Sequence, residues 1–303
     1  MLKNVFFKKP DYKYLKDNNF LAFDMHVHTK YSDGANRVTT ILKKAKKLGI
    51  GVAITDHNMI QGALKAFNNH LGVPVIPGIE ITTKEGLHIL LYFYEIEDLE
   101  EYYIKYIKYE RSKHPYLSTN VSAKDIIKKA KKYNCVISAA HPFSPTKMGL
   151  ATNIKRGYLP KGVIKQIDAI EVVCGSHLNH MNHKAIKWAW ELDKPITSGS
   201  DAHTLSDVGR ILTYSQSKDV PEFLTKIIHK ENFVVGTGRS GASRIVQYIS
   251  MAPISAVSRH IQFLGPVVNA KYHSWITQPI EHYVPRAIHK FKKKIKVQEK
   301  PKV

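Results

Sequence analysis

Short apolar segments alternate with stretches of helical spacing through the first two thirds of this chain, and that alternation limits its possible folds more than any other feature. Val, Ile and Leu dominate the segments, as in β-strands that are buried on both faces. Predicted helices, for example at 38–48 and 180–192, separate most of them. This pattern favours parallel strands with helices outside, and it predicts an α/β fold with a distorted, incomplete barrel rather than a doubly wound sheet. The predicted strands are 21–27, 50–54, 73–81, 87–93, 136–140, 167–173 and 196–198.

The chain divides into three predicted regions. An N-terminal segment covers 1–20, the barrel covers 21–238, and a basic C-terminal extension covers 239–303. Within the extension, residues 284–295 place four apolar side chains on one helical stripe among lysines. This spacing predicts a basic amphipathic helix. Such a helix docks on the barrel or contacts a membrane surface or nucleic acid, and the sequence leaves these alternatives open.

The net charge of +21 predicts attraction to anionic partners, which include nucleic acid, an anionic membrane surface and phosphorylated small molecules. Lysines spread over solvated helix faces would give the same total, so the sign of the charge does not select the partner. No apolar run approaches the roughly 18 residues of a membrane span. Residues 1–20 also lack the apolar core of a signal peptide. We therefore expect a cytoplasmic protein without a transmembrane segment.

Residues of metal-ligating type stand near the ends of the predicted strands. The carboxyl ends of parallel strands share one face, so these side chains are expected to meet there, although His88 opens its strand instead of ending it. His26 and His28 are separated by one residue, so both point to the same face of a strand. Mixed imidazole and carboxylate ligation suits zinc, manganese or iron. The predicted metal ligands are His26, His28, Asp33, His57, Glu80, His88, His141, Asp201 and His203.

With the motifs DMHVHT, YSDG, TDH, PGIE, AHPF and GSDAH, the chain resembles the polymerase-and-histidinol-phosphatase (PHP) superfamily of metal-dependent phosphoesterases over about 21–238. The resemblance implies a distorted (β/α)7 TIM-like barrel, the PHP fold, and two or three divalent metals, usually zinc, manganese or iron. By motif, it implies a first metal on His26, His28, Glu80 and Asp201, a second on Glu80, His88 and His141, and a third on Asp33, His57 and His203.

The expected function is hydrolysis of a phosphomonoester, or of a nucleotide or nucleic-acid phosphate, by a metal-activated hydroxide. Among enzymes the alternative is a histidinol-phosphatase-like or amidohydrolase-like hydrolase. A nucleic-acid-binding or membrane-surface-binding protein with a vestigial barrel is the alternative of another class. Arg210 and Arg37, in loops after ligand-bearing strands, and His183, near a strand end, are expected to bind the substrate. Asp56 is expected to support the neighbouring imidazole or cap a helix rather than to ligate a metal.

Overall fold

The computed structural model describes residues 4–238, so the predicted C-terminal extension at 239–303 and its basic helix lie outside the described residues. The described chain has an α/β fold built on one curled sheet of ten strands. The strands are β1 Val5–Phe6, β2 Leu21–Val27, β3 Gly51–Ile54, β4 Val75–Thr82, β5 His88–Phe93, β6 Cys135–Ala139, β7 Ala169–Cys174, β8 Ile196–Gly199, β9 Ile211–Ser215 and β10 Phe233–Gly236.

Helices connect most of these strands. The α-helices are α1 Tyr12–Asp17, α2 Val38–Leu48, α3 Gln61–Phe67, α4 Ile96–Tyr106, α5 Ala123–Ala130, α6 Leu150–Lys155, α7 Asn179–Glu191 and α8 Val220–Ile228, and a 3-10 helix covers Lys161–Gln166. Among residues 4–238, every helix is too short or too polar to cross a lipid bilayer.

The strand order is β1-β10-β9-β2-β3-β4-β5-β6-β7-β8. All seven predicted strands are present as β2 to β8, within two residues at each end. The expected count of seven is nevertheless too low, because β9, β10 and β1 extend the sheet beyond β2. The N-terminal segment thus contributes a short strand, β1, that pairs in parallel with β10.

The expectation of parallel pairing is wrong at two places. Strand β5 runs antiparallel to both β4 and β6, and β9 runs antiparallel to β2 and β10. Residues 83–87 are too few for the crossover that parallel neighbours require, and Gly86 makes the turn with φ of 87°. The reversal explains the position of His88, since a strand that runs the other way begins at the edge where its neighbour ends. His88 is paired with Thr82, at the end of β4.

The sheet curls until the segment after β8 meets β2. The backbone N–H of His28 donates to the carbonyl of Ala202 at 3.0 Å, and the N–H of Ala202 donates to the carbonyl of His26 at 3.1 Å. Gly199 lies so close to this junction that a Cβ there would stand 2.4 Å from the backbone nitrogen of His26. Only glycine leaves room for this approach.

Apolar side chains fill both faces of the sheet. One buried cluster lies between the sheet and the helices and includes residues of α2, α3, α4 and α5. A second joins sheet residues such as Phe23 and Tyr92 to Phe223, Leu224 and Ile227 of α8. The rings of Phe23 and Phe223 are 4.6 Å apart. The packing fixes β2, whose far end carries the first two predicted metal ligands.

Candidate metal centre

The nine predicted metal ligands converge on one edge of the curled sheet. They come from the ends of β2, β4 and β5 and from the segments that follow β2, β3, β6 and β8. Seven of the nine are buried, and Asp33 and His203 are the two that are partly exposed. The cluster is therefore closed on most sides and reachable from the side of Asp33 and His203.

The carboxylate of Glu80 occupies the middle of the cluster. Its Oε1 lies 2.9 Å from Nδ1 of His88 and 3.2 Å from Nε2 of His141. Its Oε2 lies 3.1 Å from Nδ1 of His57 and 3.3 Å from Nε2 of His26. A fifth imidazole, that of His28, is 3.5 Å away.

Two aspartates complete the cluster on the other side. Oδ1 of Asp201 lies 3.1 Å from Nε2 of His28 and 3.6 Å from Nδ1 of His203. Oδ2 of Asp33 lies 3.1 Å from Nε2 of His203 and 3.6 Å from Nε2 of His57. These carboxylates connect all of the imidazoles into one continuous group of donors.

Four overlapping sets of side chains in the described residues place their donor atoms within 4.8 Å of one another, close enough to hold a metal ion. The sets are His28, Asp33, His57 and His203; His26, His28 and Asp201; His57, Glu80 and His88; and Cys174, His177 and Asp201. The first three sets cover every predicted ligand except His141, which contacts Glu80 directly. They share His28 and His57, so they are less separate than the three groups that the motifs imply.

Several buried polar atoms of the cluster have no hydrogen-bond partner among residues 4–238. They include Oε2 of Glu80 and two ring nitrogens near it, Nε2 of His26 at 3.3 Å and Nδ1 of His57 at 3.1 Å. A buried polar atom without a partner costs free energy, so such atoms require an explanation. Buried imidazole nitrogens and carboxylate oxygens without partners are the kind of donor that divalent cations bind. The donor set therefore fits divalent metal ions.

The charges of the cluster suit cation binding. Burial alone would raise the pKa of Glu80, but the imidazoles of His57 and His88 hold it well below its usual range, so the carboxylate is ionised. Burial lowers the pKa of His57 to about 4, although the carboxylates of Glu80 and Asp33 act in the opposite direction. Burial would also lower the pKa of His203, but Asp33 and Asp201 raise it to about 10, so this ring carries a proton that a bound cation would displace.

The backbone is strained at the centre. His141 has φ of 26°, Asp201 has φ of 48°, and Asn58, directly after His57, has φ of 49°. Positive φ is uncommon for residues other than glycine and costs free energy, which the surrounding structure must offset. Two of the nine predicted ligands, His141 and Asp201, are therefore held in backbone conformations that their residue types do not favour.

Sequence reasoning missed Glu171, a buried carboxylate on β7. Its Oε1 lies 2.9 Å from Nδ1 of His26, and its Oε2 accepts a 2.7 Å hydrogen bond from the backbone N–H of His141. A carboxylate at Nδ1 fixes the ring so that Nε2 faces the cluster. The signal in the sequence was an acidic residue inside the apolar run AIEVVC, which no strand-end rule would select.

Two further buried aspartates hold the segments that carry ligands. Asp56 accepts hydrogen bonds from the backbone and hydroxyl of Thr29, both at 2.7 Å, and from Ser32 at 2.6 Å, which agrees with the interpretation of Asp56 as a supporting residue. Asp24 accepts from the backbone N–H groups of Ser200 and Gly209 at 2.8 and 2.7 Å. The two carboxylates thereby fix the loops on either side of the cluster.

The three predicted substrate-binding residues lie in different places. Arg210 pairs with Asp207 at 3.4 Å, and the ring of His183 packs on Phe7 with centroids 4.5 Å apart. Arg37 stands at the start of α2 and lines a surface hollow. Among the described residues, none of the three forms a hydrogen bond or ion pair with a predicted ligand, so the structure does not bring them into the centre.

A loop between α4 and α5 borders the centre. The side-chain amide of Asn58 donates to the carbonyls of Pro115 and Leu117 at 2.5 and 2.9 Å. Because Asn58 follows His57, this loop is attached directly beside a predicted ligand. The interval between β5 and β6 thus forms a small rim.

In a comparison with protein families, the model of the PHP domain matches residues 24–240. The matched range contains all nine residues of the cluster. No curated protein matches the chain in sequence.

Solved structures share the fold at low sequence identity. A candidate metal-dependent phosphoesterase from Bifidobacterium adolescentis is 20% identical with a TM-score of 0.50, and the match covers 73% of this chain and 98% of that chain. An endonuclease Q, in complex with a 27-mer duplex that has an abasic lesion at the active site, is 22% identical with a TM-score of 0.59. The match covers 72% of this chain and 60% of that chain. An amidohydrolase from Chromobacterium violaceum, with bound sulfate and no metal, is 19% identical with a TM-score of 0.50. The match covers 70% of this chain and 97% of that chain. At these identities the likeness concerns the fold alone.

Proposed function

This chain belongs to the PHP domain family, whose model matches residues 24–240, and from that premise we propose that it is a metal-dependent hydrolase of phosphate esters. The observation that carries the proposal is the convergence of five imidazoles on the single buried carboxylate of Glu80. Such a group of ionised carboxylates and buried imidazoles is costly to maintain unless cations bind it.

We propose that the nine clustered side chains hold two or three divalent cations, with zinc, manganese or iron best suited to the donors. When bound, such cations supply Lewis acidity, neutralise charge on phosphoryl oxygens and acidify water toward neutral pH. The protein itself positions the side chains that would bind the cations. Glu171 orients the ring of His26, Asp56 holds the loop that carries Asp33, and burial of the remaining donors excludes bulk solvent.

Three features support a phosphate ester as the substrate. The partly exposed Asp33 and His203 mark the side from which a substrate can reach the cluster. Lys30 and Arg37 flank Asp33 in the sequence and are exposed, which favours an anionic substrate on that side. The net charge of +21 acts in the same direction.

The first test combines metal content with turnover. The protein, purified without chelators, is analysed for bound metals per chain and assayed on nitrophenyl phosphate, bis-nitrophenyl phosphate, histidinol phosphate, nitrophenyl acetate and a nitroanilide. We expect bound divalent metal and release of phosphate or nitrophenol from at least one phosphate ester. Hydrolysis of the amide or carboxylic ester alone would favour the amidohydrolase-like alternative instead.

Two variants connect the activity to the centre. His28→Ala removes an imidazole. Asp201→Asn removes a charge, and asparagine tolerates the positive φ of 48° at this position. Both should lose metal and activity but keep a wild-type circular dichroism spectrum. The matched control is His70→Ala, because His70 is exposed and outside the cluster. Unchanged turnover in His28→Ala and Asp201→Asn would contradict the proposal.

A further inference from the structure

A surface hollow is lined in part by the loop between β2 and α2, which also carries Asp33 of the metal centre. It has a volume of about 320 Å³ and is lined by Lys30, Tyr31, Arg37, Val38, Thr39 and Lys65. This volume is at the lower end of the roughly 300–1,000 Å³ of small-molecule sites. The hollow can therefore accept a group the size of one nucleotide.

The hollow and the metal centre share one loop. Lys30 and Tyr31 lie between His28 and Asp33, and both of these residues belong to the cluster. The loop is held in place because the N–H of Lys30 donates to the carbonyl of Asn36 at 3.0 Å and Ser32 donates to Asp56 at 2.6 Å. A ligand in the hollow would thus lie next to the reacting group.

The charge of the hollow is uniformly positive. Lys30, Arg37 and Lys65 are exposed, and no acidic residue lines the hollow with them. None of the three forms a salt bridge within the described residues. The first turn of α2 also borders the hollow, and the positive end of a helix favours anions. Cations without acidic partners are available to bind phosphate groups.

An aromatic ring completes the hollow. The side chain of Tyr31 is 38% exposed, although the loop that carries it is fixed by hydrogen bonds. An exposed aromatic ring among cationic side chains is the combination by which proteins bind single-stranded nucleic acid, where bases stack on rings and phosphates contact cations. A duplex offers no free base face to such a ring, so its bases cannot stack in this way.

We propose that the hollow binds the nucleotide adjacent to the reacting phosphate of a single-stranded nucleic acid. The base stacks on Tyr31, and Lys30, Arg37 and Lys65 contact the backbone phosphates. This assignment rests on the proposed phosphoesterase function and narrows its substrate to a nucleic-acid strand.

The test compares two substrates with the same terminal phosphate, a nucleoside monophosphate and a short single-stranded oligonucleotide. Only the oligonucleotide can reach from the metal centre into the hollow. The full chain is used throughout, and the readout is the ratio of kcat/KM for oligonucleotide over mononucleotide. In the wild type the oligonucleotide should be preferred. Tyr31→Ala should lower the ratio roughly 5- to 150-fold, mainly through a higher KM for the oligonucleotide, because stacking of one base is lost. Tyr31→Phe should restore the ratio.

Salt dependence tests the cations. Each phosphate contact on a single strand contributes about 0.7 to the slope of log affinity against log salt concentration. Arg37→Gln and Lys65→Gln should each reduce this slope by about that amount, as measured by fluorescence anisotropy of a labelled single strand. The matched control is Lys47→Gln, an exposed lysine in the last turn of α2, which should change neither the slope nor the substrate ratio.

The outcomes separate this inference from the proposed function. If no phosphate ester is hydrolysed, the proposed function is wrong, but the binding measurements still test whether the hollow binds a single strand. A wild-type ratio in Tyr31→Ala together with a wild-type salt slope in Arg37→Gln would overturn the inference even if phosphate esters are hydrolysed. A duplex that is processed as well as the single strand would also overturn it.

Discussion

Replacing Glu171 by Gln tests whether a buried carboxylate outside the metal centre determines which nitrogen of His26 faces it. Oε2 of Glu171 accepts from the backbone N–H of His141 at 2.7 Å, and Oε1 lies 2.9 Å from Nδ1 of His26. In Glu171→Gln, the amide oxygen must face the N–H of His141, because that group can only donate. The amide NH₂ then faces His26 and donates to Nδ1, so the ring proton moves to Nε2.

This change would remove one metal ligand without altering the shape of the site. Nε2 of His26 is the atom that lies 3.3 Å from Glu80, and a protonated ring nitrogen cannot bind a cation. Loss of a partner that orients a ligand costs about 10- to 100-fold in metal affinity, which corresponds to about 1.4–2.7 kcal/mol. We therefore expect Glu171→Gln to bind zinc or manganese 10- to 100-fold more weakly than wild type.

The assay is a competition titration against a chromophoric chelator, with the fold checked by circular dichroism. Glu191→Gln is the matched control, because Glu191 is an exposed residue of α7 that pairs only with Lys187, at 3.7 Å, among the described residues. It should bind metal as the wild type does. Wild-type metal affinity in a folded Glu171→Gln protein would refute the reasoning, since the orientation of His26 would then not depend on this carboxylate.

Three further predictions concern stability and reactivity. Gly199→Ala should destabilise the fold by about 1–3 kcal/mol in urea unfolding, because the added Cβ would stand 2.4 Å from the backbone nitrogen of His26, whereas Gly162→Ala, with nothing within 4 Å of its Cβ, should be nearly neutral. Burial raises the pKa of Asp24 from 3.8 to about 6. The folded state therefore binds the proton of Asp24 more tightly than the unfolded state does. As the pH rises from about 4 to about 6, the unfolding free energy of the wild type should fall by about 3 kcal/mol relative to that of Asp24→Asn. A difference in unfolding free energy that does not change with pH would contradict this. Burial raises the pKa of the Cys135 thiol to about 12, so this thiol should not react with Ellman's reagent at pH 8 until the protein is unfolded, and rapid reaction of the native protein would show the prediction to be wrong.

The central strands of the sheet could be predicted because each is a nearly continuous apolar run between polar segments. The direction of β5 depends on a different quantity, the length of the connection at 83–87, which apolar periodicity does not describe. Strands β9 and β10 were missed because both lie after the last ligand motif, so no ligand marks where either strand ends. Pairing with β2 and with each other stabilises them, and that stabilisation is tertiary.

The residues of the metal centre could be predicted from the sequence where they stand near strand ends, because the ends of neighbouring strands share one edge of the sheet. That rule accounts for the meeting of residues as distant as His28 and Asp201. It could not identify Glu171, which lies in the middle of a strand and acts through His26. Nor could it place Arg210 and His183, since their side chains are directed by local partners, Asp207 and Phe7.

Strand β1 pairs with β10, so that Val5 lies beside Val234 and the N–H of Val234 donates to the carbonyl of Asn4 at 2.8 Å. During synthesis on the ribosome, the partner of β1 does not exist until more than two hundred further residues have been added. The edge of the sheet is thus completed by a contact of very high sequence separation, which forms slowly and late. Until then β9 or β10 presents unpaired backbone groups, and the nascent domain is most exposed to aggregation or to chaperones at this edge.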